Sequence, residues 1–300
     1  MTVQAIDLNH HGLAGAVASY LVLNEEPALV DPGPSSTLPR LRAELAKLGL
    51  GLGDVRHVLL THVHLDHAGA AGDLAAANPK LRVHVHRDGA PHMADPERLV
   101  SSTRRTFGAV HDELFGVTRP VPRDALKTWE PGMRGPLRRV RAFPTPGHIA
   151  HHLAYLHEGD GTVFTGDALG IVLAPAAATH APTPPPAVDL DAWRQTLVAL
   201  RAIGAERAGV AHFGLHPDVE VRTQRLQEEL DRLEARVRQA LSQGQAEQDA
   251  MAYDEESRAA LAEVRPRAWV DRYYDVFRAY NDWKGVERWV ASKARAEPER

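Results

Sequence analysis

The sequence predicts an α/β fold that carries a helical insert and an all-helical C-terminal extension. Three observations lead there. Short apolar runs of strand length alternate with helical segments up to about residue 215, and several of these runs end in a lone histidine or aspartate. The rhythm breaks over 92–130, where Val100, Thr103, Phe107, Val110 and Leu114 recur at helical spacing. From about 220 the texture changes again, to Leu226, Leu230, Leu233, Val237 and Leu241 in one stripe between arginines and glutamates.

The elements follow in order. VASYLVL (17–23) and ALVD (28–31) read as two strands around the turn NEEP. DPGPSS then breaks the pattern, and Ser35 or Ser36 is placed to cap a helix over 37–49. VRHVLL (55–60) is a buried strand, alanine-rich 67–77 a helix, and LRVHVH (81–86) a strand. The segment 92–130 reads either as a helix packed on the core or as a lid. Strand signals return at 137–143, 153–157 and 162–166. After the proline-rich loop APTPPPAVD, 190–203 is helical and RAGVAH (207–212) is a final strand. Beyond the long leucine-striped helix, 254–263 and 267–280 are helical and carry Trp269, Tyr273, Tyr274 and Phe277. Two readings of these aromatics stay open: a core for the extension, or a homodimer contact. The expected division is a first domain over 1–219, with its insert at 92–130, and a helical extension over 220–300.

Bulk composition excludes several classes. The 300 residues are 44% hydrophobic and 25% charged, ordinary for a globular protein. The formal net charge of −4 gives no general attraction to nucleic acid or anionic lipid. There is no cysteine, which excludes disulfides, thiolate nucleophiles and thiolate zinc sites. The N-terminal residues lack a basic region followed by an apolar one, and no stretch approaches the roughly 18 apolar residues of a membrane span. The expectation is a cytoplasmic protein that acts on a small molecule.

The chemistry concentrates in THVHLDH, residues 61–67. Side chains alternate along an extended chain, so His62 and His64 at a strand end face one way and can converge on one ion. Asp66 and His67 sit where the chain bends into a helix and can face a second ion. Later strands end in further donors: His148 in TPGH, Asp167 in TGD, and His212 after AGV. Each alone reads as an ordinary loop residue, but in this order they read as a set.

With these motifs the chain resembles the metallo-β-lactamase-fold hydrolases. The resemblance covers roughly 15–215 and rests on DPG at 31–33, THVHLDH at 61–67, TPGH at 145–148, TGD at 165–167 and His212. It implies a four-layer αββα sandwich with a metal site at one edge. It further implies that His62, His64 and His148 hold one ion, that Asp66, His67 and His212 hold the second, and that Asp167 bridges both. His152 matches a histidine that in this family tends to sit behind the ligands. His57, His84, His86, His151 and His157 match no family role, and His216 is a less well placed rival of His212, whose setting AHFG departs from the usual GHG or GHD.

The activity that the resemblance implies is hydrolysis by a hydroxide shared between two divalent ions, with Asp66 also moving a proton to the leaving group. Zinc suits these nitrogen and carboxylate donors, and iron or manganese also fit. The expected substrate is a carboxylic ester, thioester or lactone. A phosphodiester is the alternative of the same fold. A mononuclear-iron oxidoreductase of the persulfide dioxygenase type, and a metal-bearing regulatory protein with little turnover, are the alternatives of other classes. Exported β-lactamases, glyoxalase II enzymes with their glutathione-binding Lys/Arg/Tyr pattern, and nucleases with a basic exosite each match less of this chain.

Overall fold

The structure is a computed structural model that describes residues 2–23, 26–131, 133, 137–174 and 177–296. Asn24 and Glu25 of the expected NEEP turn lie outside the described residues. The fold is a mixed α/β sandwich of two sheets flanked by helices, with an all-helical C-terminal extension. Close contacts divide the chain into two compact units. The first is Met1–Thr145, His151–Gly166 and Ala205–Val219; the second is Pro146–Ala150, Asp167–Gly204 and Glu220–Arg300.

The first sheet runs β1 (Thr2–Asp7), β2 (Ala18–Leu23), β3 (Ala28–Val30), β4 (His57–Leu59), β5 (Arg82–His86) and β6 (Leu126–Trp129), in that spatial order. β1, β2 and β3 pair antiparallel, whereas β3 to β6 pair parallel. Parallel neighbours need crossovers. These are supplied by α1 (Leu38–Lys47), by α2 (Leu65–Ala68) with α3 (Ala71–Ala77), and by α4 (Ala90–Ala94), α5 (Glu97–Phe107) and α6 (His111–Phe115). The second sheet contains β7 (Val140–Pro144), β8 (Leu153–His157), β9 (Thr162–Ile171), β10 (Arg207–His212) and β11 (Gly214–His216), ordered β11-β10-β9-β8-β7.

The apolar residues of alternating strand positions meet between the sheets. Tyr20, Val22, Val30 and Leu59 of the first sheet pack with Val140, Leu153, Tyr155 and Phe164 of the second. Two tyrosines bring hydroxyls into this core, and both find backbone oxygens, as buried polar groups must. Tyr20 donates to Val210 O (2.6 Å) and Tyr155 to Leu60 O (2.8 Å). The second bond pins the end of β4 to the opposite sheet.

Several expectations are corrected. Neither Ser35 nor Ser36 caps α1: their hydroxyls donate to Gly69 O (2.9 Å) and Leu114 O (2.5 Å), and Thr37 stands at the helix start. The segment 92–130 is a series of short helices followed by β6, because Gly108 and Gly116 interrupt the helical spacing with positive φ. β9 runs on to Ile171, past the expected end at Gly166.

The second unit holds α7 (Leu190–Ala202), α8 (Val219–Ser242), α9 (Ala246–Ala262), α10 (Arg267–Tyr274) and α11 (Ala279–Ala296). Asp189 caps α7 by accepting from Asp191 N and Ala192 N. Arg236 of α8 pairs with Asp249 and Glu256 of α9, and Arg258 of α9 pairs with Asp271 of α10. Trp283 is fully buried and donates to Asp249 Oδ2 (2.8 Å). The tail aromatics Tyr273 and Tyr274 are thus core residues of this unit.

One buried pair in the first unit sets a pH dependence. His57 Nδ1 lies 3.0 Å from His84 Nε2 across the paired strands β4 and β5. Burial, and then the neighbouring His57, pushes the His84 imidazole down to about 3. Its folded value lies below its unfolded one, so the unfolded chain takes up the proton first. The stability it contributes is complete above the unfolded value near 6.5 and is lost as pH falls towards 3. Urea midpoints should therefore fall between pH 6.5 and 4, and His84→Gln should flatten that slope by about 2–4 kcal/mol over the range. An unchanged slope in the variant would show that His84 does not carry it.

Candidate metal centre

The site is built where parallel strands end together. Val30 pairs with Leu59, so the residues that follow β3 and β4 emerge side by side. The first of them, Asp31, is 3% exposed and has φ 49°, an unusual backbone for a residue with a side chain. That turn aims its carboxylate at the neighbouring segment. Oδ1 accepts from Thr61 N (2.8 Å), and Oδ2 accepts from Thr61 Oγ1 (2.7 Å) and His67 Nδ1 (3.1 Å). One buried carboxylate thus fixes both ends of THVHLDH.

The imidazoles share a pattern. His67 directs Nδ1 to Asp31, and His212 directs Nδ1 to Ala16 O at 2.9 Å. His148 directs Nδ1 to Pro182 O at 2.7 Å. Thr61 donates its hydroxyl to Asp31, so at 3.1 Å its oxygen accepts from His62 Nδ1. In each ring the proton sits on Nδ1, which leaves the Nε2 lone pair as the metal-facing atom. His64 stands edge-on to His62, with ring centroids 4.5 Å apart.

Two groups of side chains each bring one ligand atom per residue within 4.8 Å of one another: Asp66, His67 and His212; and His62, His64, His148 and Asp167. All seven residues picked from the sequence therefore fall into two clusters. In the first, His67 Nε2 and His212 Nε2 are 3.3 Å apart and lie 3.6 and 3.5 Å from Asp66 Oδ2. Burial alone would push the Asp66 carboxyl up, but the positive charge that His67, His212 and His64 carry when protonated outweighs it and holds the carboxyl well below the usual carboxylate range. In the second, His148 Nε2 lies 3.3 Å from Asp167 Oδ2. Lone pairs and carboxylates converging at such distances repel one another unless a cation lies between them. Nitrogen and oxygen donors with oriented Nδ1 partners are a donor set for a divalent metal ion.

Around the ligands, His152 stacks on His62 with centroids 4.9 Å apart and bonds Thr145 Oγ1 at 2.7 Å. His216 Nε2 is tied to Phe213 O (2.9 Å) and belongs to neither group. Gly166 of the TGD motif is required by close approach: a Cβ there would overlap Thr61 Oγ1 and crowd His152. Asp31 of the DPG motif has a role that its place in the sequence does not by itself assign. The available signal was an aspartate directly after an apolar strand and before Pro-Gly. Asp31→Asn keeps the shape and removes an acceptor, so metal affinity should fall roughly 10–100-fold, and the buried donor left facing the amide should also lower the melting temperature. Competition against a chromophoric chelator reads the first effect, and unchanged affinity would remove Asp31 from the site.

Comparison with known proteins adds to this geometry. The family profile described as the Metallo-beta-lactamase superfamily matches residues 12–212. The chain is 27% identical over 175 residues to the probable metallo-hydrolase YqjP of Bacillus subtilis, covering 52% of this chain and 53% of that one. It is 30% identical over 145 residues to hydroxyacylglutathione hydrolase of Cupriavidus taiwanensis, covering 47% and 44%. The chain thus spans about half the length of these curated relatives. Among solved structures, the metallo-beta-lactamase family protein TTHA1429 of Thermus thermophilus aligns with TM-score 0.60 at 22% identity, over 98% of this chain and 93% of that one. TTHA1623, solved in a di-iron-bound form, aligns with TM-score 0.52 at 27% identity, over 70% and 94%. Among the described residues no helix is long and apolar enough to cross a membrane.

Proposed function

We propose, because this chain belongs to the metallo-beta-lactamase superfamily, that it is a dinuclear metallohydrolase that cleaves a carboxylic ester, thioester or lactone. The observation that carries the reading is the convergence of seven nitrogen and oxygen donors into two ligand groups. His62, His64 and His148 would hold one ion, Asp66, His67 and His212 would hold the other, and Asp167 would be shared between them. When bound, such a pair supplies Lewis acidity and makes hydroxide available from water near neutral pH.

The protein's own part is positioning and proton transfer. Asp31, Thr61 and the backbone oxygens of Ala16 and Pro182 hold the imidazole tautomers fixed. Asp66 would move a proton to the leaving oxygen or sulfur. The catalytic part is 1–219 and the helices from 220 onward are its extension. Zinc is the proposed metal; the di-iron form of TTHA1623 makes iron its main rival. A relative named for hydrolysis of an acylated glutathione supports acyl transfer over phosphodiester cleavage.

The test combines metal and substrate. Untagged protein purified without added metal is analysed for elements, then assayed on an acyl thioester, a lactone, a p-nitrophenyl ester and bis-p-nitrophenyl phosphate. Two ions per chain with turnover of an acyl substrate is the expected result. Turnover of the phosphodiester alone would replace the reading, and one iron per chain with no hydrolysis would end it.

A further inference from the structure

The second unit contains a cavity of about 300 Å³, walled by the end of β9, residues 177–180, and helices α8, α9 and α10. Its floor is apolar, with Ile171, Leu173, Ala260 and Leu261. The charged groups of its lining are paired with one another: Arg232 with Glu229, and Arg236 with Glu256. A ligand here meets no free charge among these groups, so a neutral molecule is favoured over an ion.

Two adjacent residues supply the polar end. Thr179 is 4% exposed, and its hydroxyl has no hydrogen-bond partner among the described residues. His180 is held by backbone bonds with Ile171 in both directions, 2.8 and 3.0 Å. Its Nε2–H donates to Asp282 Oδ2 (2.8 Å), which leaves the lone pair on Nδ1. The neighbouring Tyr253 hydroxyl is 3.5 Å from Nδ1 and donates instead to Glu229 Oε1 (3.1 Å). The cavity therefore presents a hydroxyl donor and an imidazole acceptor side by side above an apolar floor. A buried hydroxyl without a partner is unfavourable, and a ligand that accepts from it gains accordingly. One common neutral group matches both atoms, a secondary amide, whose C=O accepts from Thr179 Oγ1 and whose N–H donates to His180 Nδ1.

The cavity also has an address. Ile171 lies four residues beyond Asp167 on the same strand, at most about 13 Å at the usual strand rise, with Gly170 at φ 75° between them. We propose that this cavity binds the amide-bearing, otherwise apolar arm of the substrate, remote from the bond that is cleaved; this rests on the hydrolase reading above.

The test uses the full-length protein and the neutral probe N-butylacetamide, titrated by calorimetry without turnover. Saturable binding is expected, at least fivefold weaker in Thr179→Val, which keeps the side-chain shape, and at least tenfold weaker in Ala260→Phe, which fills the floor. Melting curves of both variants check the fold. In parallel, kcat/KM is compared for a thioester with an amide in its remote arm and one with the amide replaced by methylenes. The amide should raise kcat/KM in the wild type, and Thr179→Val should abolish that preference. No binding, or equal binding to all three proteins, overturns the site. Variant-sensitive binding with no amide preference in turnover overturns the assignment to the substrate. Loss of turnover on every acyl substrate sinks the function proposed above, while the titration still decides the cavity.

Discussion

Replacing Asp167 by alanine is expected to strip metal from the protein and to lower kcat/KM on an acyl substrate by about a thousandfold or more, roughly 4 kcal/mol of transition-state stabilisation. Asp167 is the single carboxylate in its ligand group, the other members being His62, His64 and His148. Three neutral imidazoles leave a divalent ion's charge uncompensated, so the carboxylate contributes most of the local electrostatic attraction. It is also 3% exposed and sits in the middle of β9, a rigid position that water cannot easily replace. Asp167→Asn separates charge from shape: the amide occupies the same space, and its variant should lose metal nearly as fully as the alanine. Elemental analysis and steady-state kinetics read both. A variant that keeps two ions and stays within tenfold of wild type would sink the bridging role.

The largest effect on stability is expected away from the metals, at Gly285. Helix α11 crosses the proline-rich loop at this residue, and a Cβ there would overlap the carbonyl oxygen of Thr183. The approach is locked by hydrogen bonds on either side. Asp282 Oδ1 accepts from Thr183 N (2.7 Å), and Thr183 Oγ1 donates to Asp282 O (2.9 Å). Alanine is the better helix former, yet here it must push the helix off the loop and break these bonds. Overpacking of this kind costs about 3 kcal/mol, a fall of roughly 6–12 °C in melting temperature. A Gly285→Ala protein that melts within about 2 °C of wild type would show that the loop yields instead.

Much of the site was legible in the sequence because metal ligands impose strict demands on residue type and placement. His62, His64, His148, Asp167 and His212 stand at or near the ends of apolar runs, and an apolar run ending in a donor is visible in one dimension. Asp31 was not legible in role, because its task is to accept hydrogen bonds from Thr61 and His67, residues close to it only once β3 and β4 pair. The missed strands have the same origin. β11 is Gly214–His216, with one apolar residue, and exists through pairing with β10. β6 is four residues long and takes its register from β5. The helical reading of 92–130 failed at Gly108 and Gly116, whose positive φ ends helices that the spacing alone would continue. Helix α11 packs through Ala279, Trp283, Val286 and Val290, a helical spacing that the sequence does carry, without leucines to mark it.

The turn from β4 into α2 places His62, His64, Asp66 and His67 on one short segment, and this has a consequence for the chain before it folds. Those four donors stay neighbours even in an extended polypeptide, whereas His148, Asp167 and His212 join them only through distant contacts. The unfolded chain therefore offers an ion four donors within six residues, and this competition lowers the stabilisation that a metal would confer on the folded protein.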